Sequence, residues 1–143
     1  MAGYSGTPLP QKLGVKAGSR IGLARPPAEF SKILGQLPQD ATVQDATRAR
    51  GPFDVVVCFV RDEDTLVEAL PKLKAKLTPA GGLWIAWPKK QRAAAASIPT
   101  DVTEATVRTR GLAAGLVDNK VCAIDDVWSG LRFVVRLAER SKA

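Results

Sequence analysis

Short apolar runs alternate with polar breaks marked by proline or glycine, and the period within each run predicts its element. The most regular stretch is DEDTLVEALPKLKAKL, where Leu66, Leu70, Leu73 and Leu77 recur at helical spacing. Asp62, Glu63 and Asp64 at its start, with Lys72, Lys74 and Lys76 near its end, complement a helix dipole and read as a solvated face. Pro71 lies inside the pattern and predicts a kink. Just upstream, DVVVCFV at 54–60 is apolar on both faces, as a central parallel strand is when helices cover both sides of its sheet.

The remaining elements follow from local signals. Thr7 followed by Pro8 predicts a short opening helix with Leu9 and Leu13 on its inner face. Lys16-Ala17-Gly18 turns the chain into a strand near 19–24, and PPAEFSKILGQL reads as a helix that turns Phe30, Ile33, Leu34 and Leu37 inward. ATVQDA at 41–46 is a second short strand. TPAGG ends the long helix, GLWIAW is the next strand, and QRAAAASIP is a loose connection. Asp101 with Glu104 three residues on forms a capping box for a helix to about 114. KVCAID and LRFVVRL are strands around DVWSG, a turn too tight for a parallel crossover, so they pair antiparallel. Asp118-Asn119-Lys120 then falls before its strand, as a turn with local ion pairs. The fold class that results is α/β, one doubly wound and mostly parallel Rossmann-like sheet with an antiparallel last strand.

Composition narrows the chemistry. A chain of 143 residues, 45% hydrophobic and 24% charged, suits one domain with a real core. No apolar run approaches the roughly 20 residues needed to span a bilayer, so no membrane contact is expected. The first residues lack the charged and apolar regions of a signal peptide, which makes cytoplasmic localisation the expectation. Cys58 and Cys122 stand in apolar runs without metal-ligand spacing and read as reduced core thiols. With no histidine in the chain, Ser-His-Asp and Cys-His nucleophile pairs and histidine-ligated metal sites are excluded. The net charge of +7 favours an anionic ligand or an acidic protein partner. Nucleic acid is permitted by charge, but no helix-turn-helix, RNA-recognition or zinc-finger signature supports it.

The element order resembles that of the class I S-adenosylmethionine-dependent methyltransferases, including the reversed final strand. LGVKAGSRIGLA is similar to their lead-in and first strand, and LKAKLTPAGGLWIAW to their late helix, glycine turn and following strand. GYSGTPL, GPFDVVVCFV, GGLWIAWPKK and GLVDNKVCAIDDVWSGLRFVVR more closely resemble a family of small, uncharacterised bacterial proteins that look like shortened methyltransferases. That resemblance implies a methyltransferase-like fold and carries no established activity. A nucleotide-type cofactor needs a glycine-rich turn after the first strand, so that backbone can approach it closely. Here the turn reads ARPPAEF. Pro26 and Pro27 fix φ, remove two N–H donors and fill the space a nucleoside would use. Asp45 stands near a ribose-binding position or is simply an exposed turn aspartate. The cofactor site reads as degenerate, and no cofactor is expected.

In such a sheet, ligands bind at the carboxyl ends of the strands. Those ends deliver Arg25, Arg61, Lys89 and Lys90, with Asp125 and the turn residue Trp128, to one rim. Two readings stand side by side: the cations line an anion-accepting cleft, or they pair with Asp62, Asp125 and Asp126 as surface ion pairs worth about 0–1 kcal/mol each. Trp84 and Trp87 read as core, and only Trp128 as a ligand contact. The expected function is a non-catalytic binding or regulatory module with a basic cleft at the carboxyl edge. The alternatives are a small enzyme taking a nucleoside or S-adenosylmethionine in an altered pocket, and a nucleic-acid-binding protein.

Overall fold

The computed structural model describes residues 8–89 and 100–136. Thr7 and Lys90 lie outside them. Six strands, β1 (Arg20–Ala24), β2 (Thr42–Asp45), β3 (Phe53–Phe59), β4 (Leu77–Pro88), β5 (Leu116–Ala123) and β6 (Trp128–Val135), form one sheet in the order β2-β1-β3-β4-β6-β5. The first four are parallel, and β6 runs antiparallel to both β4 and β5. This is the doubly wound sheet with a reversed last strand that the pattern predicts. Because β5 again points the same way as β4, the ends of five strands share one edge.

Alternation along each strand divides the core into two layers. One face carries Val56, Cys58, Val60, Leu83, Ile85, Leu131 and Phe133 and is covered by α3 (Glu63–Lys74) and α4 (Glu104–Ala113). The other carries Ile21, Val55, Val57, Phe59, Trp84, Ala86 and Trp128 under α1 (Leu9–Leu13) and α2 (Phe30–Leu34). Helices on both sides are why β3 has no polar alternation. Its residues Val55 to Phe59 are all buried.

Two close approaches join the layers to the sheet. The Trp84 indole N–H donates to the Leu13 carbonyl at 3.0 Å, fixing the end of α1 on the sheet. Opposite, Gly111 of α4 rests on Phe133, and a Cβ placed there would overlap the phenyl ring.

Three expectations change. The long helix ends at Lys74, and Leu77 is the first residue of β4. Leu77 pairs with Phe53, whose N–H donates to the Lys76 carbonyl at 2.8 Å, so a partner strand captures a leucine that helical spacing assigns to the helix. Pro71 sits inside α3, where the sequence pattern places it. The cap of α4 is Thr103, whose side chain accepts from the Thr106 N–H. Asp101 instead accepts from the Glu63 N–H at 2.9 Å, at the start of α3, because its own N–H is bonded to the Arg61 carbonyl at the end of β3. Finally, Asp118-Asn119-Lys120 lies within β5, where Asp118 pairs with Arg108 at 3.1 Å.

Cys58 is buried, whereas Cys122 on the edge strand β5 is only half-buried, which corrects its assignment to the core. An edge strand has one covered face and one open flank. Burial pushes the Cys58 thiol up to about 12, against a smaller opposing effect of the Arg25 charge. A thiol reagent at neutral pH is therefore expected to modify native Cys122 and spare Cys58, and to modify both after denaturation. Rapid native labelling at Cys58 would contradict this layering. The raised value also has a sign for stability. Below about pH 9 the thiol is neutral in both states; above it the unfolded thiol ionises first, so this contribution is lost as pH rises towards 12.

Candidate functional site at the carboxyl edge

The first strand runs into Arg25, which holds φ at +56°. That left-handed conformation favours glycine, and a residue before proline is ordinarily extended. The backbone thus makes the sharp exit of a glycine turn with an arginine, followed by Pro26 and Pro27. Arg25 opens on the α3 side of the sheet, where it borders a cavity of about 240 Å³ with Thr47, Cys58, Glu68, Lys72 and Lys76. Pockets for whole cofactors run to roughly 300–1,000 Å³.

Asp45 ends β2, beside the end of β1. Its carboxylate accepts from the Thr47 backbone N–H at 2.9 Å and from the Thr47 hydroxyl at 2.5 Å, and Arg48 lies at 3.9 Å. The Thr47 side-chain and backbone bonds hold this carboxyl below the usual range. It therefore sits at the strand end as an aspartate tied into its own turn.

Arg61 follows β3 on the opposite side from Arg25. Its guanidinium carbon stands 5.9 Å from the centre of the Trp128 ring, a cation–π arrangement. Below it, Trp128 meets Phe59 edge to face at 5.1 Å, and Phe59 meets Phe30 in the same way at 4.9 Å. Trp128 is the first residue of β6, paired with Pro88 and only 4% exposed, which corrects its placement in an open turn. Ladder pairing and the Phe59 contact draw the ring inward. Trp128 thus supports the rim from beneath, and Arg61 is the group that meets solvent. Trp84 and Trp87 are buried in the sheet core.

Beyond Pro88, the Lys89 N–H donates to the Val127 carbonyl at 2.8 Å, and its ammonium lies 3.5 Å from the Asp125 carbonyl. The Asp125 carboxylate accepts from the backbone N–H groups of Val127 and Trp128 at 2.8 and 2.7 Å, which shapes the β5–β6 connection. Asp62 caps α3 by accepting from the Thr65 N–H at 2.7 Å, and these bonds to Thr65 hold its carboxyl below its ordinary value. Among the described residues, then, Asp62 and Asp125 are engaged with backbone, and neither forms an ion pair with Arg25, Arg61 or Lys89. Sequence reasoning misses this division of labour, although an aspartate two or three residues before a turn or helix is its usual signal.

No cluster of three or more metal-ligating side chains occurs among the described residues. No described helix is long and apolar enough to cross a membrane.

Comparison with known proteins gives the scaffold a lineage. A family model described as a protein of unknown function, DUF3052, matches residues 33–137. No curated protein matches. Among solved structures, a SAM-dependent methyltransferase from Aquifex aeolicus superposes with a TM-score of 0.60 at 16% identity, covering 87% of each chain. A possible exported protein from Bordetella parapertussis superposes with a TM-score of 0.62 at 12% identity, covering 88% of this chain and 64% of its own. Magnesium protoporphyrin IX methyltransferase from Synechocystis PCC 6803, with bound SAH, gives a TM-score of 0.51 at 15% identity over 76% of this chain and 55% of its own. The chain thus spans less than two thirds of the length of the last two. At these identities the likeness is one of fold.

Proposed function

We propose that this chain, which belongs to the DUF3052 family of proteins of unknown function, is a non-catalytic binding module on a methyltransferase-like scaffold. Its basic carboxyl edge takes an anionic ligand or an acidic protein partner. One observation carries the reading: Arg25, Arg61 and Lys89 come to that edge while Asp62 and Asp125 are spent on backbone N–H groups. Arg61 and Lys89 on one side of the sheet and Arg25 on the other keep cations at this edge that the carboxylates of Asp62 and Asp125, bonded to backbone, do not pair with. Lys90 follows Lys89 directly in the sequence and adds to the count. The free cysteines are compatible with the reducing cytoplasm, where we place the protein.

The ARPPAEF turn supports the non-catalytic half of this reading. With two proline rings and an arginine at φ +56° in the first turn, and Asp45 bonded to Thr47, backbone and carboxylate are both poorly disposed to hold a nucleoside. Isothermal titration with S-adenosylmethionine is expected to give no saturable heat at millimolar concentration. Micromolar binding would overturn the reading and favour a small enzyme with an altered pocket.

The binding half is tested by capture from the native host. The triple change Arg61→Ala, Lys89→Ala and Lys90→Ala is expected to lose the captured partner while leaving the thermal midpoint nearly unchanged, since surface changes usually move stability by about 0.5 kcal/mol or less. Binding to wild type should also weaken with added salt. Lys32→Ala, on the exposed face of α2, is the control and should change nothing. Equal loss in the control would reduce the edge to unspecific charge.

A further inference from the structure

The two irregularities of the sheet border a single cavity. The β3–β4 ladder shifts register between Phe53 and Val55, and the β5–β6 ladder between Asp118 and Lys120. A bulge takes its extra residue out of the alternation and re-aims the side chain, and bulges are over-represented beside functional sites. In the first the extra residues are on β4, where residues 78–81 stand against Asp54 alone; in the second the extra residue is Asn119 of β5. Thr78, Gly81, Asp54 and Asn119 all line a cavity of about 600 Å³ at the amino edge, the end opposite Arg61 and Lys89.

The same cavity is lined by Lys12, Lys16, Lys120 and Arg132, with Asp54 as its one carboxylate among the described lining residues. Asp54 accepts from the Arg20 backbone N–H at 2.8 Å. The Lys12 ammonium donates to the Ala123 carbonyl at 3.1 Å, and that of Lys120 to the Lys12 carbonyl at 3.2 Å. Neutral carbonyls orient these two ammonium groups and leave their charges in place. The half-buried Arg132 guanidinium lies over Gly82, where a Cβ would collide with it, so glycine at this position lets the arginine lie close against the sheet.

The rim across from β5 and β6 is the turn between α1 and β1. Gly14 and Gly18 hold φ at +85° and +76°, and open space stands where a Cβ would project from either. Ser19 is buried within this turn and accepts from the Lys16 N–H at 2.9 Å, which ties the two ends of the turn together.

We propose that this amino-edge cavity binds a small multivalent phosphate, such as the diphosphate group of a metabolite-sized ligand. The ammonium groups of Lys12, Lys16 and Lys120 come to one concavity from two sides and focus positive potential on it. Charge spread over several phosphate oxygens suits several ammonium points around it, whereas a planar carboxylate is satisfied by one arginine fork. The volume exceeds the needs of one inorganic ion and leaves room for the rest of a ligand.

Titration of the full chain with pyrophosphate at low salt, followed by calorimetry and by amide chemical shifts, is the test. Saturable binding is expected, with shifts concentrated at residues 14–19, Asp54 and 119–120. Lys16→Ala with Lys120→Ala, both exposed, should weaken it at least tenfold. Arg61→Ala with Lys89→Ala should leave it unchanged, which separates this site from the carboxyl-edge reading. Absence of saturation overturns the proposal, as do shifts centred on Arg25, Arg61 and Lys89, or equal weakening by both double changes. If the Lys16 and Lys120 variant misfolds, the shift map of the unaltered protein still decides.

Discussion

Trp84→Ala is expected to cost about 3–5 kcal/mol, the range for deleting a large aromatic side chain from a packed core. Trp84 is fully buried at the middle of β4, in the layer beneath α1 and α2. Its neighbourhood is shaped to fit it: a Cβ added at Gly130 on the next strand would come within 3.1 Å of the indole ring. Alanine would leave a cavity that this tight surround closes only in part. It would also free the Leu13 carbonyl, which accepts the indole N–H at 3.0 Å. Since domains of this size are stable by about 5–15 kcal/mol, the loss is a large share of the total. Chemical denaturation should show a lower midpoint with an unchanged slope. Trp84→Phe, which keeps a ring but not the donor, should fall between wild type and alanine. If Trp84→Ala costs less than about 1 kcal/mol, the tryptophan is not the close-packed centre of that layer.

The second large effect reverses a rule of local propensity. Glycine inside a helix is ordinarily about 1 kcal/mol worse than alanine, so the sequence of α4 invites Gly111→Ala as a stabilising change. The structure makes it destabilising, by about 1–3 kcal/mol, as overpacking usually is. Gly111 faces Phe133 of β6, itself fully buried, and a methyl group at 111 would occupy the edge of the phenyl ring. The ring has little freedom to yield, because Phe133 is paired on both sides, with Leu83 and with Asp118. Gly111→Val should be worse than alanine. Phe133→Leu combined with Gly111→Ala should recover part of the loss if the clash is the cause. Thermal unfolding of the four chains checks this, and a higher midpoint for Gly111→Ala alone would refute the contact.

The carboxyl edge shows how much of a site can be read in advance. Arg25, Arg61, Lys89 and Asp125 stand at strand ends, as expected from topology and the run of apolar residues before each. Their relations were not legible. Whether Asp125 and Asp62 neutralise those cations or bond to backbone depends on turn and cap geometry, and both choices fit the same residues. Trp128 went the other way. Read with its neighbours it looks like part of an exposed turn, yet Phe59, far earlier in the chain, packs against its ring and draws it inside. The amino-edge cavity left no motif, because Lys12, Lys16, Asp54, Asn119, Lys120 and Arg132 come from four separate segments.

By itself the sequence determined the order and type of nearly every element, the central place of β3 and the reversed direction of β6. Those depend on hydrophobic period and connection length, which are local properties of a chain. It also determined that histidine chemistry is absent and that a proline pair follows the first strand. Only the tertiary structure decided that Leu77 belongs to a strand, that Asp101 serves α3, that Gly111 must remain glycine and that Cys122 is half-exposed. Each of these rests on a partner distant in sequence: Phe53 for Leu77, Glu63 for Asp101, Phe133 for Gly111 and the open sheet edge for Cys122. Local preferences are worth about 1 kcal/mol or less per residue, whereas a buried contact or a shared hydrogen bond is worth as much or more. Where the two conflict, the distant partner prevails.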